Sequence, residues 1–282
     1  MRGVSPRLEP GAGFRRNGMS KINIIRRLLG WGSVSVVLLL AGCATPPPAS
    51  DPEALKEYQQ TNDPLEPMNR AIFDFNNALD TVFLRPAAQA YRAVVPPFGR
   101  DRVSDFLENL NAPLIFANDV LQGNITLAGK TLERFALNSS FGVFGIMDVA
   151  TPMGVTPHHS DFGQTLGVWG IESGPYLVLP LFGPSGVRDA VGTGAEYFAD
   201  PVSFYLADHH LKWLNWTRAG VAALSQREAY LDFLDDLRRT SLDYYATLRS
   251  LYRQRRSGMV DAGIKGVESV RTEGRQNFDP SK

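Results

Sequence analysis

The feature that most limits the fold of this 282-residue chain is its single cysteine, Cys43. One cysteine excludes an intramolecular disulfide and a zinc site built from several thiolates, so neither cross-link can hold the fold together. The chain must be stabilised by packing, and 44% hydrophobic and 10% aromatic residues allow this. Within a folded domain a lone cysteine is usually a small buried hydrophobic residue, but the position of Cys43 indicates a different role.

Cys43 stands at the end of a pattern typical of secretory signal peptides. Basic side chains between Lys21 and Arg27 precede a mostly apolar run over residues 31–41, which is too short to span a bilayer. The run ends in Leu40-Ala-Gly-Cys43. This ending resembles the lipobox of bacterial lipoproteins, a signal in which the cysteine is diacylated and the peptide is cleaved before it.

Residues 1–42 are therefore predicted to be a lipoprotein signal peptide, within which Met19 is a candidate true start. The alternative is an N-terminal anchor helix with an incidental cysteine. Residues 43–62 are predicted to be a lipidated, Pro-rich tether, and three acyl chains, at about 0.8 kcal/mol per buried methylene, anchor more firmly than one. Ala44 is not the Asp of the inner-membrane retention signal, so the outer membrane of a Gram-negative bacterium is the predicted destination.

The distribution of charge gives no support for a nucleic-acid partner. The whole chain has 29 basic and 29 acidic residues, but seven of the basic residues and only one acidic residue lie in 1–42. The rest of the chain therefore has a net charge of −6. Nucleic-acid binding needs a basic surface, which this balance does not favour.

Residues 63–256 are predicted to form one mainly helical domain. Pro67 suits the first turn of a helix, and the apolar spacing after it predicts an amphipathic helix that ends at Arg85-Pro86. Strand patterns are weak, and the best candidate, Tyr176-Leu-Val-Leu179, is flanked by prolines.

Three further helices are predicted before residue 140. One begins near Asp101, and a second begins at Pro113 and is stopped by Gly123 in a left-handed cap. Asn124 is predicted to cap the third helix through its side-chain oxygen.

The C-terminal part shows the clearest amphipathic pattern. Ser225-Gln-Arg-Glu228 matches a capping box, and a stripe of tyrosine, phenylalanine and leucine continues from there to Tyr252. A surface helix packed on its own domain is the favoured interpretation, and a partner-binding groove is the alternative. Residues 257–282 are polar and contain glycine, so they are predicted to be a mobile tail.

Two uncharged stretches, Phe135–Met147 and Ser173–Val187, interrupt the helical pattern. They contain 13 and 15 residues and are broken by Gly or Pro, whereas a spanning helix needs about 20 apolar residues. They either lie partway into one leaflet or line a protein-enclosed passage, where irregular backbone is tolerated. The alternative from composition alone is the buried centre of a soluble domain.

No catalytic constellation is apparent in the sequence. Gly183-Pro-Ser-Gly-Val187 lacks the last glycine of a nucleophile elbow, and Gly192-Thr-Gly194 lacks the third glycine of a dinucleotide loop. Adjacent histidines point apart on a helix or strand, so the two His-His pairs are poor metal sites. Asp161 and Asp200 are not spaced as a catalytic pair. We therefore predict no enzymatic activity and no cofactor.

Several segments, taken together and in order, resemble the VacJ/MlaA family of outer-membrane phospholipid-transport lipoproteins. The resemblance extends over about 63–253 and is carried by Asp63-Pro-Leu-Glu-Pro-Met-Asn-Arg70, Phe73-Asp-Phe-Asn76, Arg85-Pro86, Asn138-Ser-Ser-Phe-Gly142 with Asp148, His159-Ser-Asp-Phe-Gly-Gln-Thr-Leu-Gly-Val-Trp-Gly170, Gly174-Pro-Tyr-Leu-Val-Leu-Pro180, Gly183-Pro-Ser185, Arg188-Asp189, Asp200-Pro201 and Arg227-Glu-Ala-Tyr230.

The resemblance implies a ring-like helical body in one leaflet of the outer membrane, with a central amphipathic channel. Such proteins remove phospholipids that have strayed into the outer leaflet, which maintains lipid asymmetry. They pass the lipid to a soluble periplasmic carrier that feeds an inner-membrane ABC transporter, and trimeric porins are their usual partners.

The site residues have two sources. The lipobox makes Cys43 the predicted lipidation site, and the resemblance suggests where the channel lies. The residues predicted to line the channel or its mouth are Phe141, Gly142, Gly145, Gly174, Pro175, Pro180 and Gly183. A lipoprotein hydrolase and a porin-associated scaffold that moves no lipid are the alternatives to transport.

Overall fold

A computed structural model describes residues 48, 50–51 and 62–277, with side chains described as far as Glu268. The predicted signal peptide, the predicted lipidation site Cys43 and most of the predicted tether lie outside these residues. The described part is mainly helical, as predicted. Its elements are α1 (Glu66–Leu79), a π-helical segment (Asp80–Leu84), α2 (Arg85–Val94), α3 (Pro97–Gln122), α4 (Ile125–Ser140), α5 (Phe162–Val168), β1 (Tyr176–Leu179), β2 (Gly183–Gly186), α6 (Val187–Ala199), α7 (Pro201–Asp208), α8 (Lys212–Ala229), α9 (Leu231–Thr240) and α10 (Tyr244–Asn277).

The first helical segment begins as predicted but does not end at Arg85-Pro86. Pro67 lies in the first turn of α1. At the other end the chain passes through the π-helical segment, and Arg85 keeps helical backbone angles at φ −63° and ψ −48°. Pro86 then falls in the first turn of α2, a position that the fixed φ of proline suits. The proline therefore marks a change of helical pitch and not a stop.

The two helices predicted around Asp101 and Pro113 form one continuous helix, α3. Pro113 lies inside it, because α3 buries Ala112 and Ile115 where it packs along α4. The predictions for the end of this helix are confirmed. Gly123 is left-handed at φ 77°, and Asn124 Oδ1 accepts a hydrogen bond from the Leu127 N–H at 3.1 Å.

The predicted strand is confirmed as β1, which pairs with β2 in an antiparallel hairpin, Tyr176 opposite Gly186 and Leu179 opposite Gly183. Two asparagines of α1 hold β1. Asn69 Nδ2 donates to Tyr176 O (3.0 Å), and Asn69 Oδ1 accepts from the Val178 N–H (2.9 Å). Three residues further along the chain, Asn76 bonds the backbone of Leu179 and Leu181 in the same way.

The predicted C-terminal element is divided among α8, which contains Ser225–Glu228, and α9 and α10, which carry the apolar stripe, so the predicted start of a single helix at Ser225 is wrong. Ser225 lies inside α8, and its hydroxyl hydrogen-bonds to Ser104 at 3.1 Å. The capping box does not form because the Glu228 carboxylate pairs with Arg92 and Arg100 instead of turning back to the backbone.

The predicted mobile tail also differs from the structure, because α10 continues past Arg256 to Asn277. Met259 O accepts a hydrogen bond from Gln164 Nε2 at 3.0 Å. A Cβ added to Gly263 would lie 2.8 Å from Val168 Cγ2. The small residue allows this close contact with α5, and the contact keeps the polar helix against the domain.

The hydrophobic core beside the hairpin is small and aromatic. Tyr176 and Val178 of β1 pack with Tyr245 of α10, and Ile72, Phe73 and Tyr252 surround them. The ring of Tyr176 lies 6.1 Å from that of Tyr245 and 6.0 Å from that of Tyr252. Within 62–277, none of the helices combines the length and apolar character that crossing a membrane requires.

Candidate functional site

The interior of the described domain is predominantly polar. Nineteen polar or charged side chains are buried, against nine hydrophobic ones, among the described residues. Asp119 is fully buried, for example, and accepts hydrogen bonds from Thr131 (2.6 Å) and His158 (2.9 Å). A soluble domain of this size normally buries mainly aliphatic and aromatic side chains.

The surface shows the opposite pattern. Many large hydrophobic side chains are exposed, and aromatic residues are prominent among them. Those between 61% and 79% exposed include Phe83, Phe98, Phe141, Phe144, Phe182, Tyr197, Phe198, Phe204, Tyr205, Trp213 and Trp216. Exposed apolar surface on this scale marks a site of contact with a membrane or with another protein.

A cavity of about 680 Å³ opens between α10 and the loop before the hairpin. We call residues 169–175 the cavity loop. The residues that line the cavity are Asn62, Pro64, Gly167, Gly170, Ile171, Glu172, Ser173, Gly174, Pro175, Arg188, Tyr252, Arg253, Arg256, Ser257, Val260 and Asp261.

Three residues of the cavity wall, Arg188, Tyr252 and Arg256, belong to an ion cluster that continues behind the wall. Arg256 pairs with Asp161 (Nη1–Oδ2, 2.5 Å) and with Asp189 (Nη2–Oδ1, 2.8 Å). Arg188 also pairs with Asp189 at 3.0 Å, and the Tyr252 hydroxyl donates to the same carboxylate. Each carboxylate thus has several donors, which is the condition under which buried charges are tolerated.

The pKa values reflect this pairing. Burial raises the pKa of Asp189, but hydrogen bonds from Arg256 and Tyr252 outweigh it and hold the pKa below its usual range. At Asp161, burial likewise opposes the hydrogen bonds from His159 and Arg256, and the net pKa is lowered. Burial and the hydrogen bond to Asp189 raise the pKa of Tyr252. The cluster is therefore charged at neutral pH, and Tyr252 stays protonated.

The ion cluster also holds the cavity loop. The Arg188 side chain donates from Nη1 to Ile171 O (3.3 Å), and its backbone N–H donates to Ser173 O (3.2 Å). Gly170 and Gly174 adopt left-handed angles, φ 92° and 68°. These bends turn the loop around the cavity.

The structure places the predicted channel residues in three locations. Gly174 and Pro175 line the cavity. Pro180 and Gly183 are at the turn of the hairpin, next to Leu181 and Phe182, which are each 75% exposed. They are not among the residues that line the cavity.

The remaining predicted residues, Phe141, Gly142 and Gly145, belong to residues 141–147, which we call the tight turn. A side chain on Gly142 would overlap the carbonyl of Met147, and one on Gly145 (φ 87°) would overlap Asn109. Phe141 projects outward and is 75% exposed. None of these three residues lines the cavity.

The tight turn is anchored by a second polar cluster. Asn138 Nδ2 and Arg134 Nη2 each donate to Asp148 at 3.2 Å, and Thr151 donates to it as well. Burial opposes these bonds, yet they lower the pKa of Asp148 to about 2. Burial raises the pKa of Glu108, which lies next to Arg134.

Sequence reasoning missed a row of arginines on α10, of which Arg253 and Arg256 line the cavity. Arg249, Arg253 and Arg256 recur at spacings of four and three residues, which places them on one face of α10. They interleave with Tyr245 and Tyr252, and this spacing was the available signal. The carboxylate partners are far away in sequence, 95 residues for Asp161 and 67 for Asp189, so no local pattern pairs them.

Comparison with known proteins identifies related chains. The family model described as "MlaA lipoprotein" matches residues 61–258. A protein of Escherichia coli named "Intermembrane phospholipid transport system lipoprotein MlaA" is 36% identical over 234 residues, which cover 80% of this chain and 86% of that protein. A protein of the same name from Haemophilus influenzae is 30% identical over 82% of this chain and 90% of its own length.

An uncharacterized protein of Rickettsia bellii is 36% identical over 204 residues, 72% of this chain and 78% of that protein. A solved structure described as "Structural basis for maintenance of bacterial outer membrane lipid asymmetry" superposes with a TM-score of 0.63 at 35% identity. The superposition covers 71% of this chain and 99% of the solved one.

Proposed function

Because this chain belongs to the MlaA lipoprotein family, we propose that it is an outer-membrane lipoprotein of intermembrane phospholipid transport. Its role is to remove phospholipids that have entered the outer leaflet and so to maintain lipid asymmetry. The named relatives are transport lipoproteins, and the related solved structure concerns outer-membrane lipid asymmetry.

One observation carries this proposal: the described domain buries mainly polar side chains and exposes many large apolar ones. A phospholipid has a charged headgroup, whose removal from water without partners is very costly, and acyl chains that are stable only in an apolar environment. A body with a polar interior and an apolar surface accommodates both, since the headgroup enters the protein while the tails remain next to lipid.

The exposed aromatic residues support placement within one leaflet. Phe198, Phe204, Trp213 and Trp216 lie on the consecutive helices α6, α7 and α8. At 1.5 Å per residue, the eight residues of α7 extend about 12 Å, less than half of a hydrocarbon core of about 30 Å. Tryptophan and tyrosine are favoured where rings meet headgroups. Acylation of Cys43 would add a second anchor on the periplasmic side.

The cavity between α10 and the cavity loop would form a section of the channel through which the lipid passes. Gly174 and Pro175 are at its edge, so they remain candidates for the mouth of a channel. Phe141, Gly142, Gly145, Pro180 and Gly183 are candidates for bends that shape the lipid-facing surface around it. A domain that begins near residue 63 and the signal peptide 1–42 are part of the same proposal.

Trimeric porins are the proposed membrane partners, since the exposed apolar surface must contact either lipid or another membrane protein. A soluble periplasmic carrier would receive the lipid and deliver it to an inner-membrane ABC transporter, which supplies the energy. The protein itself would act without catalysis, and hydrolysis of phospholipid by the purified chain would contradict this.

The test is the amount of phospholipid exposed on the cell surface of a strain that lacks this protein. The wild-type chain and Cys43→Ala are each returned to the strain. Exposed phospholipid should rise on deletion and fall again only with the chain that can be acylated. If exposure does not change while the envelope still leaks, the protein is a porin-associated scaffold and the transport proposal fails.

A further inference from the structure

Arg253 is the cation of the cavity wall that lacks a carboxylate partner among the described side chains. Arg249 pairs with Asp63 at 3.1 Å, and Arg256 pairs with Asp161 and Asp189. The guanidinium of Arg253 instead donates from Nη2 to the backbone carbonyl of Asn62 (3.0 Å) and lies 5.7 Å from the centre of the Tyr176 ring. One hydrogen bond leaves most of its donors without an acceptor of opposite charge.

The environment of Arg253 is unfavourable for a cation, since the carboxylate that attracts it, Asp63, is already paired with Arg249. The residue is half-buried, and this burial, followed by the charge of Arg249, lowers its pKa. A bound anion would relieve both effects. The planar fork of a guanidinium matches two oxygens of a phosphate group, and such charge-assisted hydrogen bonds are among the stronger ones in proteins.

The same cavity also presents carboxylates. Glu172 of the cavity loop and Asp261 of α10 line it, and both are exposed. Neither forms an ion pair with a described cation. A simple anion would be attracted by Arg253 but repelled by these two carboxylates. A ligand that carries one negative and one positive group can pair with Arg253 and with the carboxylates at the same time.

We infer that the cavity binds the headgroup of a zwitterionic phospholipid, with its phosphodiester on Arg253 and its ammonium group facing Glu172 and Asp261. The inference rests on the proposed function and names the headgroup class that the protein selects. Arg253 would be the primary phosphate ligand, because Arg188 and Arg256 already hold Asp161 and Asp189.

The first test compares Arg253→Gln with wild type in binding of phosphatidylethanolamine carrying a fluorescent acyl chain. The acylated full chain is used in detergent micelles. Arg255→Gln is the matched control, since Arg255 is an exposed arginine of the same helix that does not line the cavity. Loss of a charge-assisted contact should weaken binding roughly tenfold or more in Arg253→Gln, and the control should bind like wild type.

The second test addresses the opposite charge. The double variant Glu172→Gln, Asp261→Asn should lose its preference for phosphatidylethanolamine over phosphatidylglycerol, which has a phosphate but no amine. Inorganic phosphate should not displace the fluorescent lipid from the wild-type chain. Full displacement by phosphate would show that the site is for free phosphate and would overturn the assignment to a lipid headgroup.

Wild-type binding by Arg253→Gln, or an equal loss in Arg255→Gln, would overturn the inference. The proposed function would survive both results if exposed phospholipid still rises in the deletion strain. If the wild-type chain itself binds no phospholipid and its deletion leaves surface exposure unchanged, the proposed function fails together with the inference. Should Arg253→Gln not fold, Arg253→Lys keeps the charge without the fork and should bind with intermediate affinity.

Discussion

The tight turn and the cavity loop both depend on glycine, but for different reasons. In the tight turn glycine is required for space, because a side chain on Gly142 or Gly145 would overlap atoms already packed there, and Gly145 has a left-handed angle as well. In the cavity loop Gly170 adopts φ 92°, and a Cβ at this position would meet no atom within 4 Å, so only its backbone angle requires glycine. The first segment is fixed by packing, and the second is shaped by its bends around an open volume.

This difference shows where the fold tolerates change. The tight turn is packed on Asn109 of α3 and anchored by the Asp148 cluster. The cavity loop borders an open volume and is held by Arg188, with its partner Asp189, and by the Trp169 Nε1–H bond to Leu121 O. A segment with fewer contacts opens at lower free energy than its surroundings, which suits a loop at the edge of a passage.

The largest expected effect is that of Asp189→Asn, which removes the carboxylate that Arg188 and Arg256 share. Breaking a buried ion pair by removing one partner costs about 3 kcal/mol or more, so the free energy of unfolding should fall by this amount in denaturant titrations. Hydrogen exchange should quicken in the cavity loop more than in the tight turn. Asp261→Asn, an exposed carboxylate of the same cavity, is the control and should leave stability unchanged.

An equal rise in the rate of hydrogen exchange in the cavity loop and the tight turn after Asp189→Asn would mean that the two segments open as one cooperative unit. The contrast between them would then be lost.

Substitution of the glycines tests the contrast directly and should have the next largest effect. Gly142→Ala places a methyl group against the carbonyls of Met147 and Asn138 and should cost about 3 kcal/mol through overpacking. Gly170→Ala meets no atom and should cost only about 1–2 kcal/mol for its left-handed angle. The two midpoints of chemical unfolding give the comparison, and similar losses would show that packing is not what distinguishes the segments.

Local patterns predicted those features of the fold that short-range interactions determine. Pro67 at a helix start, Gly123 in a left-handed cap and Asn124 as a capping residue each depend on neighbours within a few positions. Distant contacts decided the rest. Pro113 remains inside α3 because α4 packs beside it, and Ser225 is no cap because Glu228 is paired with two arginines of other helices.

The candidate site was less predictable than the fold for the same reason. Gly174 and Pro175 were found because an uncharged, Gly- and Pro-rich stretch is visible in the sequence alone. The role of Asp161 could be judged only from its spacing to nearby residues, which shows no partner. Its partner in the structure, Arg256, lies 95 residues away. Pairing across that distance depends on how α5, α6 and α10 come together, which no local pattern encodes.

Acidification should affect the tight turn through Asp148, with a smaller effect than the substitutions at its glycines. The pKa of Asp148 is lowered from 3.8 to about 2 in the folded chain, so its stabilising contribution is complete above pH 4 and is lost as pH falls through 2. A shift of this size corresponds to about 2 kcal/mol. Asp148→Asn should therefore lower the free energy of unfolding at pH 7 and flatten its dependence on pH between 4 and 2.

The smallest expected effect concerns the hairpin turn, which continues from the cavity loop through β1. Asn76 bonds Leu179 O (2.9 Å) and the Leu181 N–H (2.8 Å), so Asn76→Ala releases both backbone groups, one of them exposed to solvent. Because water can replace part of this bonding, the loss of stability should be about 1 kcal/mol. Asp74→Ala, an exposed position on the same helix, is the control for helix propensity. A loss equal to that of the control would place the hairpin turn with the loosely held cavity loop, and a clear difference would place it with the firmly anchored tight turn.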